Sequence, residues 1–453
     1  MMVTLNQNAK LQVLVCDNGG NNQYNGSTIT YSTTNAVAGV LGSRADITRV
    51  DSLETATKEI MSRDRPHYAL FVISSDHIKK GYGGMKIHEI KCFNPFLPQL
   101  IYGTDISRSN LVMGMRRGIR YDAEDQQQLA TELMRIFYNP QTPIKNLTVA
   151  KFGGSSFDFD RQNPGTPNLR YVAEKIAEIK RVLPTQKNSK KGKNSPKPRI
   201  IATVGAGPLG DDIKDYTRNH DKVRAKFGNL IAAELDINLK KLACLMPDGS
   251  YKLLESEDFY FINKDNMAKV VLMGIAPHYI LARDGIPLED SDTHTIAIAE
   301  LFGAKRVVLI KRADGIYSYD PNIGGFTSDF ERWRRYQINN RRHPVVTVED
   351  MLSGRISREG TNTSGERDGT LGHLMEDSGL EYFAGCKNVE EILVVHIAPE
   401  EMYIPAGENE FEHAVVPSES LVLNPAIGWK GILEQRIDDA FNGIALSKIV
   451  RSR

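Results

Sequence analysis

Residues 149–156 read VAKFGGSS, a hydrophobic run that passes through a lysine into two glycines and two serines. An apolar run with strand character reaches Lys151 and then opens into Gly153, Gly154 and Ser155. Glycines let backbone N–H groups turn toward an anion, because no Cβ stands in the way. A lysine beside them adds a mobile cation suited to a phosphoryl group. The stretch predicts a buried strand that leads into a phosphate-binding turn, although alone it is also compatible with an ordinary strand-to-loop turn.

A second strand with a glycine turn follows about fifty residues later, in RIIATVGAGPLGDD (199–212). Its end supplies Gly205, Ala206 and Gly207. In open parallel α/β sheets, ligands bind at the carboxyl ends of the strands. The two glycine turns are therefore expected at the same edge of one sheet.

Residues 282–321 contain a third set of such features: an aspartate at the start of a predicted helix, a strand that ends in a lysine, and a tight turn. Asp292 opens a predicted helix, TIAIAELFGA, where an aspartate caps exposed N–H groups, and capping alone would explain it. The strand RVVLI then delivers Lys311. A tight turn with the remaining candidate nucleotide-binding residues follows: Asp314, Gly315, Tyr317, Asp320 and Pro321.

Alternation of apolar strand-like runs with amphipathic helices predicts an α/β protein with mainly parallel sheets. The prolines of YNPQTPIKN (138–146) mark a boundary, which places domain one at 1–143 and domain two at 144–453. Eight runs are expected to be strands: LQVLVC, YALFVIS, PQLIYGT, LTVAKF, RIIATVGAG, YILA, KRVVLIKR and EILVVHIA.

Composition limits the function classes. The 453 residues are 41% hydrophobic and 25% charged, with a net charge of +1, so neither nucleic acid nor an anionic membrane is an expected partner. No apolar run approaches the roughly 18 residues that span a bilayer, and no signal peptide is expected. Four widely spaced cysteines form no CxxC pair, which favours the reducing cytoplasm.

These motifs resemble the amino acid kinase fold family, which includes aspartokinase, acetylglutamate kinase and UMP kinase. The resemblance covers roughly residues 147–397 and rests on four ordered motifs. Within the family the sequence is most similar to UMP kinase and the molybdenum storage protein, through GAG at 205–207, the spacing from Asp292 to Lys305, and IKRADGIYSYDP at 310–321. The expected domain is a three-layer αβα fold.

The resemblance implies roles for the residues found above. Lys151 and Lys311 would be catalytic or would bridge the phosphates, and Asp292 would orient them. The glycine turns would hold the β- and γ-phosphates, and DGIYSYDP would contribute to the adenine and ribose pocket. ATP would bring Mg²⁺, which keeps most of its waters. Relatives assemble as dimers to hexamers, so a homo-oligomer is expected.

Some positions depart from the pattern. Ala225 lies about where UMP kinases carry a ribose-binding aspartate, with Asp221 nearby, which puts uridylate in doubt as the acceptor. His294 lies two residues after Asp292, as either an oxyanion or metal ligand or a hydrogen-bonded structural histidine. The insertion at about 186–199 is expected to be a solvated, flexible loop. The insertion at about 322–344 contains the basic, aromatic segment 331–342, which is expected to form a subunit contact or a salt-bridged arm, with binding of nucleic acid or phosphates as the alternative. The extension 398–453 has no assigned role.

The first domain is predicted to be flavodoxin-like and to resemble a response-regulator receiver. Asp17 and Thr104 fall at its first and fourth strand ends. Ser74 and Ser75 end the third strand, where a receiver needs its acceptor aspartate, and Asp76 comes late. Because a phosphoaspartate switch lacks its chemistry here, we interpret this domain as a pseudo-receiver for regulation or assembly. A receiver phosphorylated at Asp76 and another flavodoxin-like module are the alternatives.

Three hypotheses follow for the whole chain. The first is an ATP-dependent phosphotransferase. The second is a nucleotide-dependent protein that stores or binds molybdate or tungstate without kinase turnover. The third is a signalling scaffold in which both domains only bind.

Overall fold

Two β-sheets, each flanked by helices, organise the protein. The first is built from strands before residue 124 and the second from strands after residue 146. The predicted α/β class with mainly parallel sheets is confirmed. The computed structural model describes residues 10–17, 23–24, 27–28, 33–61, 68–79, 83–94, 96–103, 120–123, 125–137, 143–153, 199–207, 210, 213, 221–246, 251–254, 270–288, 290–311, 316–317, 342–353, 375, 377–396 and 447–451.

The first sheet has five parallel strands in the order β4-β1-β5-β6-β7. In chain order this is 2-1-3-4-5, the order of doubly wound flavodoxin-like sheets. The receiver-like identity of this part stays a prediction. Its strands are β1 Leu11–Cys16, β4 Ala45–Val50, β5 Leu70–Ser74, β6 Gln99–Tyr102 and β7 Arg120–Ala123, with a separate hairpin of β2 Gln23–Tyr24 and β3 Ser27–Thr28. Its helices are α1 Thr33–Leu41, α2 Leu53–Met61, α3 Ser75–Lys79, α4 Gly83–Phe93 and α5 Gln126–Ile136, with a short 3₁₀ turn at Gly42–Arg44.

The second sheet has eight strands in the order β10-β11-β9-β8-β12-β16-β17-β15. All neighbouring pairs are parallel except β16 and β17. Its strands are β8 Leu147–Phe152, β9 Arg199–Val204, β10 Lys252–Leu254, β11 Val270–Met273, β12 Arg306–Lys311, β15 Val345–Thr347, β16 Glu391–His396 and β17 Ser447–Val450; β13 Ile316–Tyr317 and β14 Arg342–His343 form a separate pair. Its helices are α6 Asp221–Leu245, α7 His278–Asp284, α8 Ser291–Phe302, α9 Val348–Leu352 and α10 Asp377–Gly385.

Alternation along the strands of the second sheet creates a core on each of its faces. In β8, Leu147 and Val149 belong to the core cluster that includes α8, whereas Ala150 and Phe152 belong to the cluster on the opposite face. All six residues of β8 are buried. A central strand must be apolar on both faces, so the lysine that shares the α8 face of β8 is an exception to that pattern.

Helix α8 begins and ends at recognisable signals. Asp290 is its N-cap and accepts a 3.0 Å bond from the Thr293 amide. Gly303 ends it in the left-handed conformation, with φ of 71°. A Cβ at Gly303 would lie 2.3 Å from Cβ of Pro143, so only glycine allows this close approach of the residues before β8.

The run YILA was expected to be a strand, and this prediction is wrong. Residues 279–282 lie within α7, which begins after Pro277 and ends at Gly285 with φ of 67°. A four-residue apolar run carries no period that separates strand from helix. The strand on this side of the sheet is β11, which precedes Gly274.

The last strand comes from the C-terminal extension that had no assigned role. Residues 447–450 insert between β16 and β15, and Ile449 is fully buried. Ser447 is also fully buried, and its hydroxyl accepts a 3.0 Å bond from the amide of Ile316. The end of the extension therefore completes the second sheet.

The first part of the chain contacts the second through α7. His278 Nε2 lies 2.9 Å from the carbonyl oxygen of Tyr68, just before β5. The rings of Phe137 and Tyr279 pack edge to face, with centroids 5.8 Å apart. Since Ala69 also belongs to the core cluster of the second sheet, the contact is apolar with one buried polar anchor.

No helix within the described ranges has the length and apolar character to cross a bilayer. Several predictions lie outside the described residues. They concern Thr104 and most of the insertions 186–199 and 322–344.

Candidate functional site

Lys151 lies one residue before the carboxyl end of β8 and is almost wholly buried. The sheet register places Lys151 between Thr203 of β9 and Leu309 of β12. A charged lysine is seldom buried unless it is paired. The partners of this ammonium group therefore define the site.

The Lys151 ammonium group is held by the first turn of α8. Its Nζ lies 2.5 Å from Asp292 Oδ1 and 2.7 Å from Ser291 Oγ. The side chains of Lys151 and Asp292 are only 5% and 9% exposed, so the ion pair is shielded from solvent. In such surroundings the cost of desolvation offsets much of the attraction, but removing one partner leaves an uncompensated buried charge.

Asp292 was expected to open α8 and cap it, and the structure assigns the cap differently. The N-cap is Asp290, and Asp292 is the second residue of the helix. Asp292 directs an oxygen to Lys151, although its charge still lies in the first turn, where the helix dipole favours an anion. Capping alone therefore does not explain Asp292.

A pair of buried threonines ties α8 to the neighbouring strand β9. Thr295 Oγ1 donates to the Ser291 carbonyl oxygen at 2.8 Å. It can therefore only accept in its 2.7 Å contact with Thr203 Oγ1. Sequence reasoning did not identify Thr203 or Thr295, and both hydroxyls hold the turn that carries Ser291 and Asp292.

The second glycine turn, at Gly205–Gly207, is hydrogen-bonded to a side chain of α6. Buried Asn238 donates through Nδ2 to the carbonyl oxygens of Gly205 and Ala206, at 3.1 and 2.8 Å. The Lys241 ammonium group lies 3.2 Å from Asn238 Oδ1, which fixes the orientation of the amide. Gly207 has φ of 77°, a conformation that favours glycine. The carbonyl oxygens of Gly205 and Ala206 therefore face α6.

The backbone N–H groups of Gly153 and Gly205, the first glycines after β8 and β9, donate hydrogen bonds to neighbouring strands of the sheet. Gly153 N–H donates to the Ile310 carbonyl oxygen and Gly205 N–H to that of Phe152, both at 2.8 Å. These two groups are not available to an anion while the sheet is intact. An anion at this edge would contact amides further along each turn, such as that of Gly207.

Other predicted residues are described in part or not at all. The backbone of Lys311 ends β12, next to β8, and pairs with His396. The backbone of Tyr317 lies in β13. The remaining candidates lie outside the described residues: Gly154, Ser155, Asp314, Gly315, Asp320 and Pro321.

His294 is a fully buried histidine one helical turn into α8. Its Nε2 lies 3.0 Å from the Pro287 carbonyl oxygen. Burial, together with the nearby Lys151 charge, lowers the pKa of His294 from 6.5 to about 4, against the opposing effects of Pro287 and Asp290. A neutral ring donates from Nε2, which favours the structural interpretation of this residue.

This histidine should make folding sensitive to acid. Its pKa is lower in the folded protein, so protonation favours the unfolded chain, and stability present above pH 6.5 is lost as the pH falls toward 4. We expect the free energy of unfolding to fall by roughly 2 kcal/mol from this group between pH 7 and pH 5. Urea unfolding of the wild type and His294→Gln at both pH values measures it. An equal loss in both proteins would contradict the assignment.

At the carboxyl ends of the strands of the first sheet, the polar side chains have different partners. Asp17 Oδ2 accepts from the amide and the hydroxyl of Thr34, both at 3.0 Å, and so holds the first turn of α1. Burial raises the pKa of the Cys16 thiol to about 12, helped by Asp17. Ser74 and Ser75 are buried where β5 meets α3. Within the described ranges, no group of three or more His, Cys, Asp or Glu residues could hold a metal.

Three solved structures are similar to this chain at low sequence identity. Uridylate kinase from Archaeoglobus fulgidus is 14% identical, with 67% of this chain and 99% of that chain covered and a TM-score of 0.39. UMP kinase from Ureaplasma parvum is 15% identical, with 56% and 91% covered and a TM-score of 0.37. Aspartate kinase from Synechocystis is 16% identical, with 55% and 37% covered and a TM-score of 0.36. No curated protein matches the chain.

The family comparison covers the strands and turns described above. The predicted resemblance extended over roughly 147–397, and the matched segment is shorter. It contains Lys151, the Gly205–Gly207 turn, Asp292 and Lys311. Residues 146–326 match the model of the amino acid kinase family, and the mainly parallel α/β sheet that they build has the fold of that family.

Proposed function

We propose that the second domain is an ATP-dependent phosphotransferase that transfers the γ-phosphoryl group to a small-molecule acceptor. The observation that carries this proposal is the buried ion pair of Lys151 and Asp292 at the edge where two strands open into glycine turns. Phosphoryl transfer needs positioned cations around a spreading negative charge more than it needs a covalent intermediate.

Each residue has a definite task in this proposal. Lys151 contacts the transferring phosphoryl group, and Asp292 and Ser291 hold its ammonium group at one position. Lys311, at the end of the adjacent strand, supplies the second cation. The turn at Gly205–Gly207 approaches the phosphates with its backbone.

Mg²⁺ fits this site as a companion of the nucleotide. Asp292 Oδ1 is occupied by the lysine, and no set of three ligating side chains is found in the described part of the chain. Mg²⁺ is commonly bound through phosphate oxygens and waters. It would neutralise the charge that develops on the phosphates.

The first domain is proposed to regulate or assemble the second, since it packs on α7 through Tyr68 and Phe137. A homo-oligomer belongs to the same proposal. The acceptor stays open because Ala225 stands about where UMP kinases carry a ribose-binding aspartate. Storage of molybdate or tungstate remains a prediction from sequence that no described contact favours.

Binding of MgATP, measured by titration calorimetry, tests the proposal. Replacing Lys151 with methionine should weaken binding about tenfold or more, since a charge-assisted hydrogen bond of roughly 1.5 kcal/mol is lost. Lys305→Met is the matched control, because Lys305 pairs with Glu390 on the surface at the opposite edge of the sheet. Equal affinity in the Lys151 variant, or no binding by the wild type, would contradict the proposal.

A further inference from the structure

Asp290 is a buried carboxylate that faces hydroxyl and amide donors. It is 1% exposed. Its Oδ1 accepts from the Thr293 amide, and its Oδ2 accepts from the Thr293 hydroxyl in a very short contact. A third donor is Ser378 Oγ of α10, at 2.5 Å from Oδ2. A helix cap needs only the first of these bonds.

The third bond joins α8 to a helix 88 residues further along the chain. Gly379 allows the approach, since a Cβ there would lie 3.3 Å from Thr293 Oγ1 and 2.8 Å from Met375 Cγ. The start of α10 therefore sits directly on the first turn of α8.

That first turn carries Ser291 and Asp292, which hold Lys151. A loss of the Ser378 bond would leave Asp290 with less than its full set of donors in a buried place, and the turn would have to move to recover solvation. Because catalytic groups depend on placement to within about 0.5 Å, a small shift of this turn is sufficient to misplace the lysine.

We propose that Asp290 and Ser378 are positioning residues, which set the Lys151 ammonium group for phosphoryl transfer by fixing the first turn of α8 against α10. This inference rests on the proposed function for its catalytic consequence. The structural consequence, that Ser378 controls how firmly the Lys151 ammonium group is held, depends only on the observed contacts and not on the proposed function.

Amine-selective labelling of the full-length protein, followed by mass spectrometry, measures how firmly Lys151 is held without any assay of activity. Ser378→Ala should raise the labelling rate of Lys151 about tenfold, since a charge-assisted bond is lost. Ser378→Thr keeps the hydroxyl and should restore the wild-type rate. Asp125→Asn removes a charge at a cap of α5 in the first domain and should change nothing.

Kinetics supplies the second readout. Ser378→Ala should lower kcat about tenfold while KM for ATP stays within about twofold, because positioning acts on the transition state. Unchanged Lys151 labelling in Ser378→Ala, or failure of threonine to rescue it, would overturn the inference. If the wild type binds no ATP but the labelling rates change as expected, the proposed function fails and the positioning role stands.

Discussion

Replacing Lys151 with methionine should lower the free energy of unfolding by about 3–5 kcal/mol at pH 7.5, the usual cost of breaking a buried ion pair on one side. Asp292, whose side chain is 9% exposed in the native pair, would lose the ammonium group that lies 2.5 Å from its Oδ1. Urea unfolding of the full chain measures the change. A larger loss of unfolding free energy indicates that the Lys151–Asp292 pair is better shielded from solvent.

Two further variants show whether the loss of stability comes from the burial of the Lys151–Asp292 pair. Lys240→Met breaks a half-exposed pair with Asp236 on α6 and should cost less than about 1 kcal/mol. The double variant Lys151→Met with Asp292→Leu removes both charges and should recover most of the lost stability. If the single variant at Lys151 costs no more than Lys240→Met, the pair is not buried as described.

The second large effect concerns catalysis. Asp292→Asn should reduce kcat at least about a hundredfold, because the neutral amide no longer holds the lysine ammonium group at the place where charge develops. ATP affinity should change much less, since Lys151 keeps its charge and its bond to Ser291. Steady-state kinetics with the acceptor identified by an ADP-release screen gives both values.

The matched control for this variant is Asp236→Asn. It removes the same charge from an aspartate that is paired with a lysine, on the exposed side of α6. Its kcat should equal that of the wild type. A loss of activity that is equally large in both variants, or absent in both, would show that Asp292 has no special part in the reaction.

Much of the second sheet could be predicted from sequence because its strands are long and apolar on both faces. LTVAKF, RIIATVGAG and KRVVLIKR were each expected to be strands, and each contains one, β8, β9 and β12. Gly153 and Gly205, which follow β8 and β9, lie at the same edge of the sheet. Parallel strands within α/β units bring sites to that edge whatever the loops contain. Lys151 could therefore be placed at that edge, whereas its contact with Asp292, 141 residues further along the chain, was implied only by the family resemblance.

Other features could not be predicted because they depend on distant partners. YILA lies in a helix between Pro277 and Gly285, and four apolar residues alone carry no period that separates a strand from a helix. That Asp290, and not Asp292, is the cap of α8 became clear only from the contact between Asp292 and Lys151. Ser378 and Asn238 lie in unremarkable helical sequence, and only the fold shows what they hold.

The most direct test of the central claim is a crystal structure of the protein with Mg²⁺ and a non-hydrolysable ATP analogue. We expect the ammonium groups of Lys151 and Lys311 both within about 3.2 Å of oxygens on the terminal phosphate, the range of charge-assisted hydrogen bonds. An analogue bound elsewhere, or two lysines too far apart to contact one phosphate, would contradict it.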